Sequence, residues 1–402
     1  MNPPTGRNPM VIRSIPDAIA AVPYLLGFHP SESLVVIGYD GPHNMCAIRV
    51  DLPARDDRAE TAATAERVVS VLGDNGFRRA LILGYGPADQ VDAAASTIWD
   101  GLAAHGLSLT DAARVADDRW WSLTCVDAEC CAPGGNPYDS SLTVVAAQAT
   151  LAGKVALTDR TELARSIAPV TGKARAAMHE ATARAEARLK SWAVEGLSQS
   201  QFHQRMLQEG QSLLIRLRGD EPPTDNSPYR HSTPEPKALY QRPTGSNAQH
   251  PSAFDRSPPP TRKPPTNSAG RPSDDDVAWL SVLLTNLRVR DEAWVRIDEE
   301  QPDDDIDFWR DVLRRVDEPY ATAPACLLAY VAYVSGDGGL ANIALERADP
   351  DYSMATLLGW AFEAGAPPSL VRLNMTPEDL AAAHATQDAH STTPGREGLL
   401  DR

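Results

Sequence analysis

The sequence predicts an α/β N-terminal domain with a mixed sheet, followed by an all-α C-terminal domain with tetratricopeptide-like helical hairpins. Three observations carry that expectation. Short apolar runs bounded by turn residues alternate with segments of 3.6-residue apolar period through the first half. A Pro-, Ser- and Thr-rich stretch poor in aliphatics then interrupts the chain. Beyond it, apolar runs open on acidic residues and close on glycine turns, as helices do. A chain of 402 residues exceeds what one core usually organises. The expected division is 11–218 for the α/β domain ending in helices, 219–273 for a disordered Pro-rich linker, 274–373 for the helical domain and 374–402 for a flexible tail.

Ser14-Ile-Pro-Asp reads as a helix start: a capping hydroxyl, a proline whose missing N–H costs nothing in the first turn, and a carboxylate at the positive end of the dipole. That helix should run to Gly27, with Pro23 kinking it. Leu34 to Gly38 is a buried strand, and Met45 to Leu52 its antiparallel partner across the Asp40-Gly41-Pro42 turn. Thr61, Ala65, Val68, Val69 and Leu72 mark a helix ending near Asn75-Gly76, before a strand at Ala80 to Leu83. Val91, Ala94, Ala95, Ile98 and Leu102 mark the next helix, followed by strands at Leu107 to Val115 and Trp120 to Cys125. Helices interposed between strands require part of the sheet to be parallel.

Further helices are expected at Ser141 to Leu151, Asp159 to Ile167 and Gly172 to Trp192, the last with a seam of Ala174, Met178, Ala181, Ala185, Leu189 and Trp192 that must bury. Ser198 and Gln201 form a capping box for one more. After the linker, Asp274 to Asp276 lead the run Val277 to Leu287, and Asp303 to Asp307 lead Phe308 to Val316. Pro324 opens Ala325 to Val334, the Gly336 to Gly339 turn leads into Leu340 to Ala348, and Met354 to Glu363 follows the Asp349-Pro350-Asp351-Tyr352 break.

Composition narrows the function classes. A net charge of -16 opposes general nucleic-acid binding, which needs a basic surface to displace counterions. No segment approaches the roughly 20 apolar residues of a membrane span, and the first residues lack a signal-peptide core, so the expectation is no membrane insertion and a cytoplasmic location. Five cysteines, an odd and small number, point to reduced thiols rather than a disulfide framework.

The most chemically concentrated stretch is Arg119 to Cys131, RWWSLTCVDAECC. Cys125, Cys130 and Cys131 could offer three thiolates to zinc with His29 as a fourth ligand, but C-x4-C-C is not the C-x2-C hairpin geometry, and the spacing favours packed, inert thiols. Cys46 and Cys326, isolated among apolar residues, are expected in the core. Trp120 and Trp121 must point to opposite faces of their strand, and a strand buried on both sides is expected, set against one ring exposed as a ligand or partner platform. His29, in a loop between helix and strand, is a candidate general base or ligand, set against a hydrogen-bonded structural role. Ser31 and Ser33 follow it without the second histidine or acid that would define a triad. Gly84 and Gly86 lie at a strand-to-helix turn where backbone N–H groups can hold an anion, yet the third glycine and the Lys-Ser/Thr pair of a phosphate loop are absent, and a tight turn suffices.

The blocks VPYLLGFHPSESLVVIG at Val22 to Gly38, VDLP at Val50 to Pro53, RWWSLTC with CC, WVRID, FWRDVLRR and YVSGDGGLANIALERADPDYSMATLL resemble an actinobacterial family of uncharacterised proteins classed as a domain of unknown function. The resemblance is specific at GFHP, RWWS and SGDG and implies a cytoplasmic bacterial protein, with no cofactor or catalytic residue to carry over. The function expected on all these grounds is a non-catalytic binding or regulatory protein with a protein partner at its helical domain. The alternative is an enzyme or a metal- or thiol-dependent sensor using His29, Cys125, Cys130 and Cys131. Convergence of Gly27 to Ser33, Gly84 to Pro87 and Arg119 to Cys131 on one concave pocket would favour the enzyme reading, and their scatter would count against it.

Overall fold

The computed structural model describes residues 11–42, 45–125, 127, 131–140, 143–151, 154–218 and 271–391, with side chains to 386. Residues 219–270 of the expected linker, its Pro-rich runs included, lie outside them.

Ser14 caps α1 (Ile15–Leu26) by accepting the Asp17 N–H at 3.2 Å, and Gly27 ends it at φ +81°, a conformation that favours glycine. The sheet is built from β1 (Ser33–Tyr39), β2 (Met45–Asp51), β3 (Arg79–Tyr85), β4 (Ser108–Ala116), β5 (Arg119–Ser122) and β6 (Asn136–Pro137). Helix α2 (Arg58–Asp74) joins β2 to β3, and α3 (Ala88–Ala104) joins β3 to β4. The strand order is β2-β1-β3-β4-β5-β6. Only β3 and β4 pair in parallel, so the sheet is mixed, as the sequence predicts. Two details differ from expectation. β5 stops at Ser122 because the Ser122 hydroxyl accepts the N–H groups of Thr124 and Cys125, at 3.3 and 3.1 Å, and turns the chain early. β6, two residues long, carries no periodicity that a sequence could reveal.

Alternation along the strands separates two apolar layers. Leu34, Val36, Ala80, Ile82 and Ala112 meet α2 and α3 on one face. Val35, Ile37, Leu81, Leu83, Ala113 and Val115 point the other way, into a layer shared with α1 and the later helices.

Those helices are α4 (Val144–Leu151), α5 (Arg160–Ser166), α6 (Gly172–Val194) and α7 (Gln199–Arg218), then α8 (Asp274–Leu283), α9 (Leu287–Val295), α10 (Asp303–Arg315), α11 (Thr322–Val334), α12 (Gly338–Leu345), α13 (Ser353–Glu363), α14 (Pro368–Val371) and α15 (Pro377–Ser391). The expected seam of α6 buries in part: Met178, Ala181, Ala185 and Trp192 are inside and Leu189 is half-buried, but Ala174, in the first turn, is exposed. Trp192 meets Trp279 of α8 edge-on with centroids 5.3 Å apart. The run from Val277 to Leu287 is two helices, because the Asn286 side chain accepts the Arg288 N–H at 2.9 Å and caps α9 anew. Arg271 to Ser273, at the end of the expected linker, are tied down. Arg271 pairs with Asp311, the Pro272 carbonyl accepts from Arg315 at 2.8 Å, and Ser273 forms a capping box with Asp276. Within the expected tail, Thr376 and Asp379 cap α15 reciprocally. No described helix is long and apolar enough to cross a membrane.

Candidate functional site

One row of side chains crosses all six strands where β3 and β4 end: Asp51, Ser33, Tyr85, Val115, Trp120 and Asn136, each opposite the next. This row joins the segments Gly27 to Ser33, Gly84 to Pro87 and Arg119 to Cys131 at one end of the sheet. The carboxyl ends of parallel strands are where open α/β sheets receive ligands.

The loop after α1 is fixed from two sides. The Leu157 carbonyl accepts the His29 N–H at 3.0 Å and the Leu157 N–H donates to the Gly27 carbonyl at 2.9 Å, which clamps the buried Phe28 between them. The His29 ring is exposed. From the other side comes the SGDG turn. The Asp337 carboxylate caps α12 by accepting the Leu340 N–H at 2.9 Å, and a Cβ at Gly27 would stand 3.5 Å from it. Gly339 sits so close to the Leu26 carbonyl that any Cβ there would overlap its oxygen. GFHP and SGDG, more than 300 residues apart in sequence, therefore pack on each other. Burial pushes the Asp337 carboxyl above its usual range.

Three buried polar atoms at this end of the sheet have no hydrogen-bond partner among the described residues: Ser33 Oγ, Arg49 Nε and Tyr85 OH. All three side chains share the face of Val35 and Leu83. Ser33 is directly opposite Tyr85, and Arg49 is diagonal to Ser33 across the β1–β2 pair. Asp51 holds the other end of Arg49 at 2.6 Å, and the guanidinium lies 6.0 Å from the centre of the Phe28 ring. Burial, and then the neighbouring Tyr138, push the Tyr85 phenol up, so it remains a donor. Leaving such groups unsatisfied costs about 1–3 kcal/mol each. A carboxylate, phosphate or carbonyl oxygen would satisfy them. Among the described residues Ser33 Oγ has no base within hydrogen-bond reach.

The remaining candidates fall around this row with simpler roles. A Cβ at Gly84 would overlap Cγ1 of Val91, so glycine is needed for α3 to pack on β3. Gly86, at φ +152°, passes against Leu52. The helix start beyond it carries Asp89, paired with Arg55, which opposes an anion there. Trp120 joins the layer shared with the later helices, whereas Trp121 turns to the opposite face. There Trp121 donates from Nε1 to the Pro133 carbonyl at 3.1 Å, beneath the Arg114 guanidinium 3.9 Å from its ring centre. Both rings are half-buried, so β5 is two-sided but less enclosed than expected. Cys125 and Cys131 are half-buried beyond β5, and Cys130 lies outside the described residues. Among the described residues no group of three or more His, Cys, Asp or Glu side chains is arranged to hold a metal ion. Cys326 is in the core, and Cys46 is half-buried against the α2–α3 layer; burial pushes their thiols to about 12 and about 11.

Arg49 and Tyr85 are functional candidates that the sequence reading passes over. The signals were an arginine inside the strand MCAIRVD and a tyrosine flanked by two glycines at the end of an apolar strand.

The model of a family described as a domain of unknown function (DUF4192) matches residues 16–369, a span that runs from α1 to α14 and includes every residue of the row. No curated protein and no solved structure matches the chain.

Proposed function

We propose, on the premise that the chain belongs to the DUF4192 family, that it is a non-catalytic binding protein of the bacterial cytoplasm with a regulatory role. Its ligand presents a hydrogen-bond-accepting group to Ser33, Arg49 and Tyr85. The single observation that carries this reading is the set of three partnerless buried donors gathered where the three sequence blocks meet. A serine without a base and a protonated tyrosine suit recognition better than group transfer. The acidic chain argues for a ligand other than nucleic acid. Support for a protein partner at the helical region comes from Leu357 and Trp360, 56% and 66% exposed and one turn apart on α13.

Native mass spectrometry of the protein purified gently from its own cells tests the reading. Wild type should carry a small molecule that survives incubation unchanged, and Ser33→Ala with Tyr85→Phe should lose it while folding normally. Conversion of that molecule during incubation, or equal retention by the double variant, would overturn the proposal.

A further inference from the structure

The opposite end of the same sheet face holds a cavity of about 650 Å³, at the ends of β1 and the starts of β2, β3 and β4, closed by the residues leading into α1. It lies one strand length from the donor row, roughly 20 Å at about 3.3 Å per residue. The apolar side chains of Val35, Leu83 and Ala113 fill the face between them. Cavities of about 300–1,000 Å³ are the usual size for small organic ligands.

Its wall has two characters. Ile15, Ile37, Met45 and Leu81 make an apolar floor. Arg13 and Arg79 stand on the rim, and neither forms an ion pair among the described residues. The Arg79 guanidinium lies 5.4 Å from the centre of the Tyr39 ring, within cation–π range, which holds the group at the rim. Tyr39 is itself held by a hydrogen bond between its hydroxyl and that of Thr110. Two carboxylates also line the cavity. Asp111 is engaged, accepting the Ala112 N–H and the Thr124 hydroxyl at 2.8 Å each. Asp40 is exposed at a left-handed turn, φ +57°. Neutral donors leave Asp111 charged, so two carboxylates balance two arginines in the lining. What sets the rim apart is that Arg13 and Arg79 have no carboxylate on their guanidinium groups among the described residues, above a hydrocarbon floor.

We infer that this cavity is a second ligand site, for a monoanionic amphiphile whose hydrocarbon body lies on Ile15, Ile37, Met45 and Leu81 and whose carboxylate meets Arg79 and Arg13. The inference is independent of the donor row: neither site needs the other to be filled.

The test uses the full chain and the anionic fluorophore 8-anilinonaphthalene-1-sulfonate, with decanoate, decanol and decyltrimethylammonium as competitors. The expected result is one saturable site with blue-shifted emission, from which decanoate displaces the dye about tenfold better than decanol, the scale of one charge-assisted contact. Arg79→Ala should weaken decanoate by about the same factor, and Arg13→Ala, should the first variant fold poorly, provides the same reading. Met45→Trp, which fills the cavity from its rim, should abolish dye binding with the thermal melt unchanged. Ser33→Ala with Tyr85→Phe should leave dye binding as in wild type. Absence of a saturable site, equal competition by decanol, or decanoate affinity unaltered in both arginine variants would overturn the inference.

Discussion

The two faces of the sheet are closed by different kinds of partner. On one, α2 and α3 cover the strands to which they are directly joined, and the layer is apolar from Leu34 to Leu102. On the other, the apolar layer is shared with α1 and with the helices from α5 onward, and its rims keep polar chemistry: Ser33, Arg49 and Tyr85 at one end, Arg13 and Arg79 at the other. A helix tied to its own strand settles into a dry, tight contact. The other face keeps an open cavity at one margin and partnerless donors at the other among the described residues, and such places are where ligands fit.

The largest expected effect tests whether the second face depends on its remote cover. Trp309, fully buried in α10, belongs to the continuous apolar cluster that also holds Val35 and Leu83, so Trp309→Ala should cost about 3–5 kcal/mol and, if the cluster acts as one unit, speed amide exchange in β1 as well as in the helices. Full protection of β1 with only the helices loosened would separate the two regions and break the comparison.

The next pair contrasts the faces directly by urea unfolding. Gly84→Ala, on the face of α2 and α3, forces a methyl into Val91 and should destabilise by about 1–3 kcal/mol, part of it recovered in Gly84→Ala with Val91→Ala. Ser33→Ala, on the other face, removes a partnerless hydroxyl and should stabilise the ligand-free protein by about 1 kcal/mol. A loss at Ser33 as large as that at Gly84 would remove the reason to separate the faces.

The smallest effect is one of pH. Because the folded-state pKa of Asp337 is raised by burial, the folded protein binds the proton more tightly than the unfolded chain. Stability therefore falls as pH rises from the ordinary value of 3.8 through the raised one. Asp337→Asn keeps an N-capping oxygen but carries no charge, so melting curves should show its advantage over wild type growing through that window and level above it. An advantage that shrank with rising pH would contradict the burial.

Sequence reached the elements better than the site. Helix starts at Ser14 and Ser198 were legible because a cap and its partner lie within four residues, and the start at Asp274 because three acidic residues lead an apolar run; the Ser273 cap itself was not among the signals. The break at Asn286 was hidden by an apolar period that continues across it. The donor row was out of reach for a different reason: Arg49, Ser33 and Tyr85 become neighbours only through strand register, and their lack of partners exists only once three strands are paired. A tight turn was the expected reason for Gly84, yet what demands glycine is the pair of Val91 methyls seven residues on. The SGDG turn was legible as a turn, while its partner, Leu26, was not.

That last contact has a consequence for synthesis. Gly339 rests on the end of α1, so the first helix emerges from the ribosome long before its neighbour exists. At about 5–20 residues per second, the roughly 310 residues between them take on the order of 15–60 s. Throughout that interval the face of Val35, Ile37 and Leu83 lacks its later cover, although α2 and α3 can already dock on the other side. Each nascent chain should therefore pass through a half-closed stage whose exposed strands are a natural substrate for chaperones.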